Sequence, residues 1–222
     1  AGFTQVFVGI ETPDDLALAE CSKSQNRNRD LVSSVKKLQK MGLQVMGGFI
    51  VGFDSDDETI FDRMIDFIQE SGIVTAMVGL LQAPIGTQLY QRMLREGRLQ
   101  ENYSGDNVDG KTNIIPKMDL KALKEGYRKI LDSIYSAKGF YDRVRTFLKD
   151  YTPVHKPVTL QWEEISAFLS SIIKIGIMSE ERREYWKLFF WTLFHYPKKF
   201  PLAITFAIYG YHFRKVNELH VA

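Results

Sequence analysis

The chain has 222 residues, 45% of them hydrophobic and 25% charged, with a formal net charge of +2. That balance is ordinary for a globular fold of one large or two small domains and gives no electrostatic reason to expect nucleic acid. A single cysteine, Cys21, excludes an internal disulfide framework and any multi-cysteine metal or cluster site, and it suits a cytoplasmic setting.

No signal-peptide pattern and no apolar run of bilayer-spanning length is present. The histidines at 155, 195, 212 and 220 show no metal-ligand spacing.

Gln5–Ile10 reads as a strand, and Glu11 stands just past its end. In barrels and open parallel sheets, chemistry collects at the carboxyl ends of strands. Glu11 is therefore a candidate base or hydrogen-bond partner, or else a helix-capping carboxylate. Thr12-Pro13-Asp14 opens a short helix, since proline and acidic residues suit a first turn. A polar loop, Cys21–Asn28, follows. Its Gln25 and Asn26 are either ligand-reading or turn residues. Asn28 or Asp30 caps a helix over Arg29–Met41, with an apolar stripe at Leu31, Val35, Leu38 and Met41.

Gln44–Glu58 is the stretch around which the rest is organised. It begins as an apolar run with Gly47, Gly48 and Gly52, too short for a globular helix. Such a run without alternation predicts a parallel strand buried on both faces. Asp54, Asp56 and Asp57 follow, either as divalent-ion ligands or as caps. Glu58–Ser71 is then a helix, Val74–Leu81 a third strand, and Thr87 caps a helix over Gln88–Arg95. Strands separated by helices imply a parallel sheet with right-handed crossovers.

Residues 100–118, rich in Asn, Asp and Gly, form the expected linker between an α/β half over 1–99 and an all-α domain over 119–222. Asp119 caps a helix to about Ser136, Gly139 interrupts, and Phe140–Asp150 resumes. After a proline-containing linker at Tyr151–Thr159, helices are expected at about Gln161–Ile175, Ser179–Tyr196 (capped by Ser179) and Pro201–Leu219.

Several pieces in order carry a resemblance: Phe7 to Thr12, Lys23 to Asn26, Gly47 to Asp54, Ala83 to Tyr90 and Glu96 to Leu99. This set resembles the second half of the barrel of a radical S-adenosylmethionine enzyme, in the subgroup that usually has an upstream cobalamin-binding domain. From about residue 113 onward, Gly126-Tyr127, Ile134-Tyr135, Tyr141 to Arg143 and Phe200 to Phe213 resemble the helical domain that follows that barrel. The resemblance implies a partial barrel of TIM type with a four-iron four-sulfur cluster and S-adenosylmethionine, which yields a radical that abstracts hydrogen from substrate. It also implies cofactor-binding roles for Gly48, Ile50 and Gly52, with Ile50 on the adenine, and for Glu11 facing into the barrel. Gln25, Asn26 and Gln82 are candidates for substrate or cofactor contact. The acidic residue expected three positions after Gly52 is Ser55 here.

The cluster motif Cys-x-x-x-Cys-x-x-Cys is absent, as are the first three barrel strands and the cobalamin domain. The chain is therefore expected to be a C-terminal fragment, inactive alone, of an enzyme performing methyl transfer or related C–H chemistry on a lipid- or porphyrin-like substrate. No cofactor is expected on the fragment itself. A non-enzymatic interaction module on a half-barrel scaffold is the alternative. The missing barrel half is the expected partner, with self-association through the unpaired sheet edge. Leu188–Tyr196 and Phe200–Phe213 are dense in aromatics. They either fill the interface between the helices and the sheet or lie at a membrane surface, with Phe189 and Phe206 as the test positions.

Overall fold

The computed structural model describes residues 2–100, 109–153 and 162–221, with side chains to residue 218. Strands β1 (Gln5–Glu11), β2 (Gln44–Val51) and β3 (Ala76–Leu80) form a parallel sheet in the order β1-β2-β3. Between and after them run α1 (Asp15–Glu20), α2 (Leu31–Lys40), α3 (Thr59–Ser71) and α4 (Gln88–Arg95). A helical layer follows: α5 (Leu120–Tyr135), α6 (Ala137–Asp150), α7 (Trp162–Ser171), a π-helical turn at Ile172–Ile177, α8 (Arg182–His195) and α9 (Phe200–Val221). The α/β half and the all-α region are thus both present, as the periodicity predicts. The expected linkers at 100–118 and Tyr151–Thr159, His155 and His220 lie wholly or partly outside the described residues.

Most helix starts follow the capping chemistry. Asp14 accepts from the N–H groups of Leu16 and Ala17, both at 2.9 Å. Asp30, rather than Asn28, caps α2 by accepting from Ser33 N–H at 2.9 Å. Thr87 and Asp119 cap α4 and α5. Two expectations shift. The break after α5 falls at Ser136, whose hydroxyl accepts from Gly139 N–H at 3.0 Å, so Gly139 lies inside α6. Ser179 does not cap α8. That helix begins at Arg182, and Glu181 at its cap position turns its carboxylate to Arg214 instead.

One face of the sheet packs on helices. Val6, Val8, Ile10, Val45, Phe49, Val51, Ala76, Val78 and Leu80 meet α2, α3 and the apolar face of α5. Gly126 lets α5 approach α3, because a Cβ there would sit 2.2 Å from the Phe61 ring. The opposite face is open, with Phe7 and Met77 54% and 46% exposed, so the expected burial on both faces does not hold. β2 alternates buried and half-buried residues because its inner neighbours are not covered.

The two edges of the sheet differ. Gly47 N–H donates to Thr75 O, so the intervening carbonyls of Ala76 and Val78 point away from β2. Tyr135 and Tyr127 of α5 donate to those two carbonyls at 2.6 and 3.3 Å, which blunts the β3 edge. On the β1 edge, Asn26 Nδ2 donates to Gly9 O and Ile10 O, both at 3.3 Å. Among the described residues no hydrogen bond reaches the backbone of Phe7 from that side.

The helical layer has its own core. Phe140, Tyr141, Val144, Phe147 and Leu148 of α6 meet Tyr185 and Leu188 of α8 and Ala203, Phe206 and Ala207 of α9. Phe206 is 3% exposed and lies edge-on to Phe147 at 5.3 Å. Phe189 is half-buried among Phe168, Tyr185, Trp186 and Phe200. Both test positions are therefore packing residues. Among the described residues no helix is long and apolar enough to cross a membrane.

Candidate functional site

The open sheet face forms a recess of about 320 Å³ at the carboxyl ends of the strands. Its shape follows from period-two alternation. Phe7, Gly9 and Glu11 of β1, Gly48 and Ile50 of β2, and Met77 and Gly79 of β3 share the inner face. Gly9 pairs with Gly48, and Gly48 with Met77, so two adjacent strands lack Cβ atoms in one row. The Phe7 ring closes one side: a Cβ on Gly48 would stand 2.9 Å from it. Gln82 and Pro84 complete the rim.

Glu11 enters the recess from a strained backbone. Its φ of 69° is left-handed, and the β1–β2 register slips between Gly9 and Glu11. Such a bulge re-aims a side chain at the end of a strand. The carboxylate folds back over Gly9 and pairs with Lys23 at 2.9 Å. Lys23 sits just before the 3₁₀ turn Ser24–Asn26.

Of the residues singled out in the sequence, Glu11, Gly48, Ile50 and Gln82 line this recess. Gln82 Nε2 donates to Lys111 O at 3.2 Å. Gly52 sits behind it as a turn residue with φ of 103°. Asn26 holds the β1 carbonyls, while Gln25 is exposed on the turn. Lys23, Phe7, Met77 and Gly79 were not singled out. Alternation along β1 and β3 is the signal that marks the last three. Lys23 had no local signal, because its partner is twelve residues away.

The acidic run after β2 is consumed by the protein itself. Asp54 takes Arg98 in a two-pronged ion pair at 2.6 and 2.9 Å, with Arg92 at 3.4 Å and Lys117 at 3.6 Å. The Arg98 hydrogen bonds hold its carboxyl below the usual carboxylate range. Asp56 Oδ2 accepts from the N–H groups of Gly52 and Phe53 at 2.8 and 3.0 Å, fixing the turn. Burial nevertheless pushes Asp56 up to about 6. Asp57 accepts from Thr59 N–H at 2.9 Å. Glu20 accepts from Ser55 and pairs with Arg92. These carboxylates serve as caps and ion pairs. Among the described residues no three His, Cys, Asp or Glu side chains converge to hold a metal ion.

A family described as a domain of unknown function, DUF4070, matches residues 87–222, from the cap of α4 to the end of α9. The chain belongs to the DUF4070 family. An uncharacterized methyltransferase of Synechocystis is 34% identical over 222 residues, covering 98% of this chain and 41% of that protein. The hopanoid C-2 methylase of Rhodopseudomonas palustris is 37% identical over 110 residues, 49% of this chain and 21% of that protein. The bacteriochlorophyllide d C-12(1)-methyltransferase of Chlorobaculum tepidum is 25% identical over 147 residues, 65% of this chain and 32% of that protein. The chain thus spans well under half the length of these curated relatives. All three carry methyl transfer in their names. No solved structure matches the chain.

The recess lies on β1–β3, upstream of the DUF4070 match, and α5 of the matched region packs with α2 and α3 on the sheet's other face. The cofactors implied by the resemblance differ in their fit. An iron–sulfur cluster is held by several thiolates. Cys21 alone is present, half-buried, with its thiol pushed up by burial and aimed at Leu18 O at 3.6 Å. This chain does not supply a cluster site. The recess does suit one side of a flat heterocycle with a polar sugar. It offers glycine backbone, Ile50 and Phe7 as apolar surface, and the Glu11–Lys23 pair at its mouth.

Proposed function

We propose that this chain is the C-terminal part of a radical S-adenosylmethionine methyltransferase acting on a lipid- or porphyrin-like substrate. The observation that carries the reading is the inner-face recess, where Gly48, Ile50 and Glu11 come together at strand carboxyl ends. The relatives named for hopanoid and bacteriochlorophyllide methylation supply the substrate class. In this reading Ile50 and the Gly9–Gly48 row hold the adenine of S-adenosylmethionine. Glu11, steered by Lys23, accepts hydrogen bonds from the ribose or the amino group. Gln25, at the edge, and Gln82, on the rim, face the substrate side. When bound and reduced through a cluster, S-adenosylmethionine supplies the hydrogen-abstracting radical. The cluster thiolates, and cobalamin where it is used, come from sequence outside this chain. The free edge of β1 is where further strands of the same barrel pair.

The test is S-adenosylmethionine binding by the full-length protein, measured anaerobically by equilibrium dialysis. Gly48→Leu fills the recess and Glu11→Gln removes the charge. Each should weaken binding at least tenfold with an unchanged circular-dichroism spectrum. Unchanged binding in both variants would remove the recess from the cofactor site. Binding lost through Glu11→Gln alone would place the adenine elsewhere.

A further inference from the structure

The outward face of α8 carries a feature that the recess does not explain. Its buried positions are Tyr185, Leu188 and Thr192. The opposite stripe runs Arg183, Lys187, Phe190, Phe194, at helical spacing along one face. Phe190 is 48% and Phe194 75% exposed, with Leu193 beside them at 39%. The rings form a ladder: Trp186 stacks on Phe190 at 5.6 Å, and Phe190 on Phe194 at 6.3 Å. The π-helical turn lies alongside, fixed by a 2.8 Å bond from Trp186 Nε1 to Gly176 O. It adds exposed Ile173 and Ile177, and Met178, which follows it, is exposed as well. Soluble surfaces rarely concentrate large apolar side chains this way without a partner.

The charges around the ladder indicate the partner. Arg182 and Arg183 precede it, Lys187 lies beside its first rung, and all three line a shallow groove with Trp186 and Phe190. Lys198 follows it on the surface. Lys187 shares Glu184 at 2.6 Å, and Glu184 is itself turned inward toward Arg145 at 3.7 Å. Arg182, Arg183 and Lys198 make no ion pair among the described residues. A second copy docked by twofold symmetry would bring these like charges together. An anionic bilayer surface matches both features: phosphates meet the cationic rim, and the rings enter the headgroup–acyl boundary. We propose that α8, with the preceding π-helical turn, is a peripheral membrane-docking surface for anionic phospholipid. The proposal rests on α8 and its neighbours alone and does not depend on the methyltransfer reading.

Co-sedimentation of the purified protein with vesicles of phosphatidylcholine alone, or mixed with phosphatidylglycerol, tests it. Binding is expected only to the mixed vesicles and should weaken as salt rises. The pair Phe190→Ser with Phe194→Ser should reduce binding at least tenfold. So should Arg182→Glu with Arg183→Glu, a change that leaves the helix packing untouched. Both pairs should keep the thermal transition of the unaltered protein. No binding of the unaltered protein to mixed vesicles overturns the proposal, as does binding that survives both pairs. Self-association abolished by the phenylalanine pair, without vesicle binding, would assign the face to a second copy instead.

Discussion

Glu11 occupies a left-handed conformation that a non-glycine residue adopts at a cost of about 1–2 kcal/mol. Its half-buried ion pair with Lys23, whose ammonium stays partly in solvent, returns on the order of 1 kcal/mol, so the fold gains little from this glutamate. Glu11→Gly should therefore leave stability unchanged or raise it by about 1 kcal/mol in urea titration, while abolishing ligand binding. A loss of stability would mean that Glu11 serves the fold. Asp56 makes a pH-dependent contribution. Burial pushes its folded carboxyl up to about 6 from the ordinary carboxylate range, so the folded protein holds a proton that the unfolded chain releases. That stability is fully present below about pH 4 and is lost as pH rises through about 6, amounting to roughly 3 kcal/mol at most. Asp14, Asp54 and Asp57 are shifted the other way, so their contributions are lost below that window as they protonate. Denaturation midpoints should decrease as pH rises from about 4 to about 6, and Asp56→Asn should flatten the slope.

At the level of elements, α5 performs two tasks. Leu123, Tyr127, Ile130 and Ile134 enter the sheet's core, and the hydroxyls of Tyr127 and Tyr135 satisfy the outer carbonyls of β3. Removing the Tyr135 hydroxyl leaves Ala76 O without that donor, at a cost of about 1–3 kcal/mol. Tyr135→Phe should shift the urea midpoint accordingly. The double change with Tyr127→Phe should also increase light scattering on storage, because it exposes the β3 edge. If the double variant is as stable and as dispersed as the unaltered chain, the tyrosines are not what blunts this edge.

Across the whole molecule, α6 ties the helical layer to the sheet. Arg143, 1% exposed, donates to Gln69 Oε1 of α3 at 2.7 Å and to Val74 O at 3.4 Å, and stands 5.2 Å over the Phe140 ring. Burial, with no carboxylate partner among the described residues, pulls its guanidinium down to about 10. Lysine lacks both the fork and the stacking plane, so Arg143→Lys should cost about 2–3 kcal/mol by chemical denaturation. The opposite edge predicts assembly. With Phe7 exposed beside unpaired β1 backbone, the 222-residue chain should self-associate through that strand, and Phe7→Lys should suppress it. A monomer at every concentration in light scattering would count against this.

The sequence by itself determined the order and type of nearly every element, because these depend on local chemistry: apolar periodicity, and Asp30, Thr87 and Asp119 as caps. The strand end marked Glu11 and the missing Cβ atom marked Gly48, since both are visible in one dimension, whereas Ile50 was marked only by the family resemblance. Only the tertiary structure decided what each face meets. The apolar strands look buried on both sides, yet one face is open because nothing among the described residues covers it. Asp54, Asp56 and Asp57 look alike in sequence and separate only when Arg98, Gly52 and Thr59 arrive as their partners. The two aromatic runs read the same, but α9 turns its rings into the core while α8 leaves a ladder outside. Helical position relative to a neighbouring element, rather than composition, made that difference.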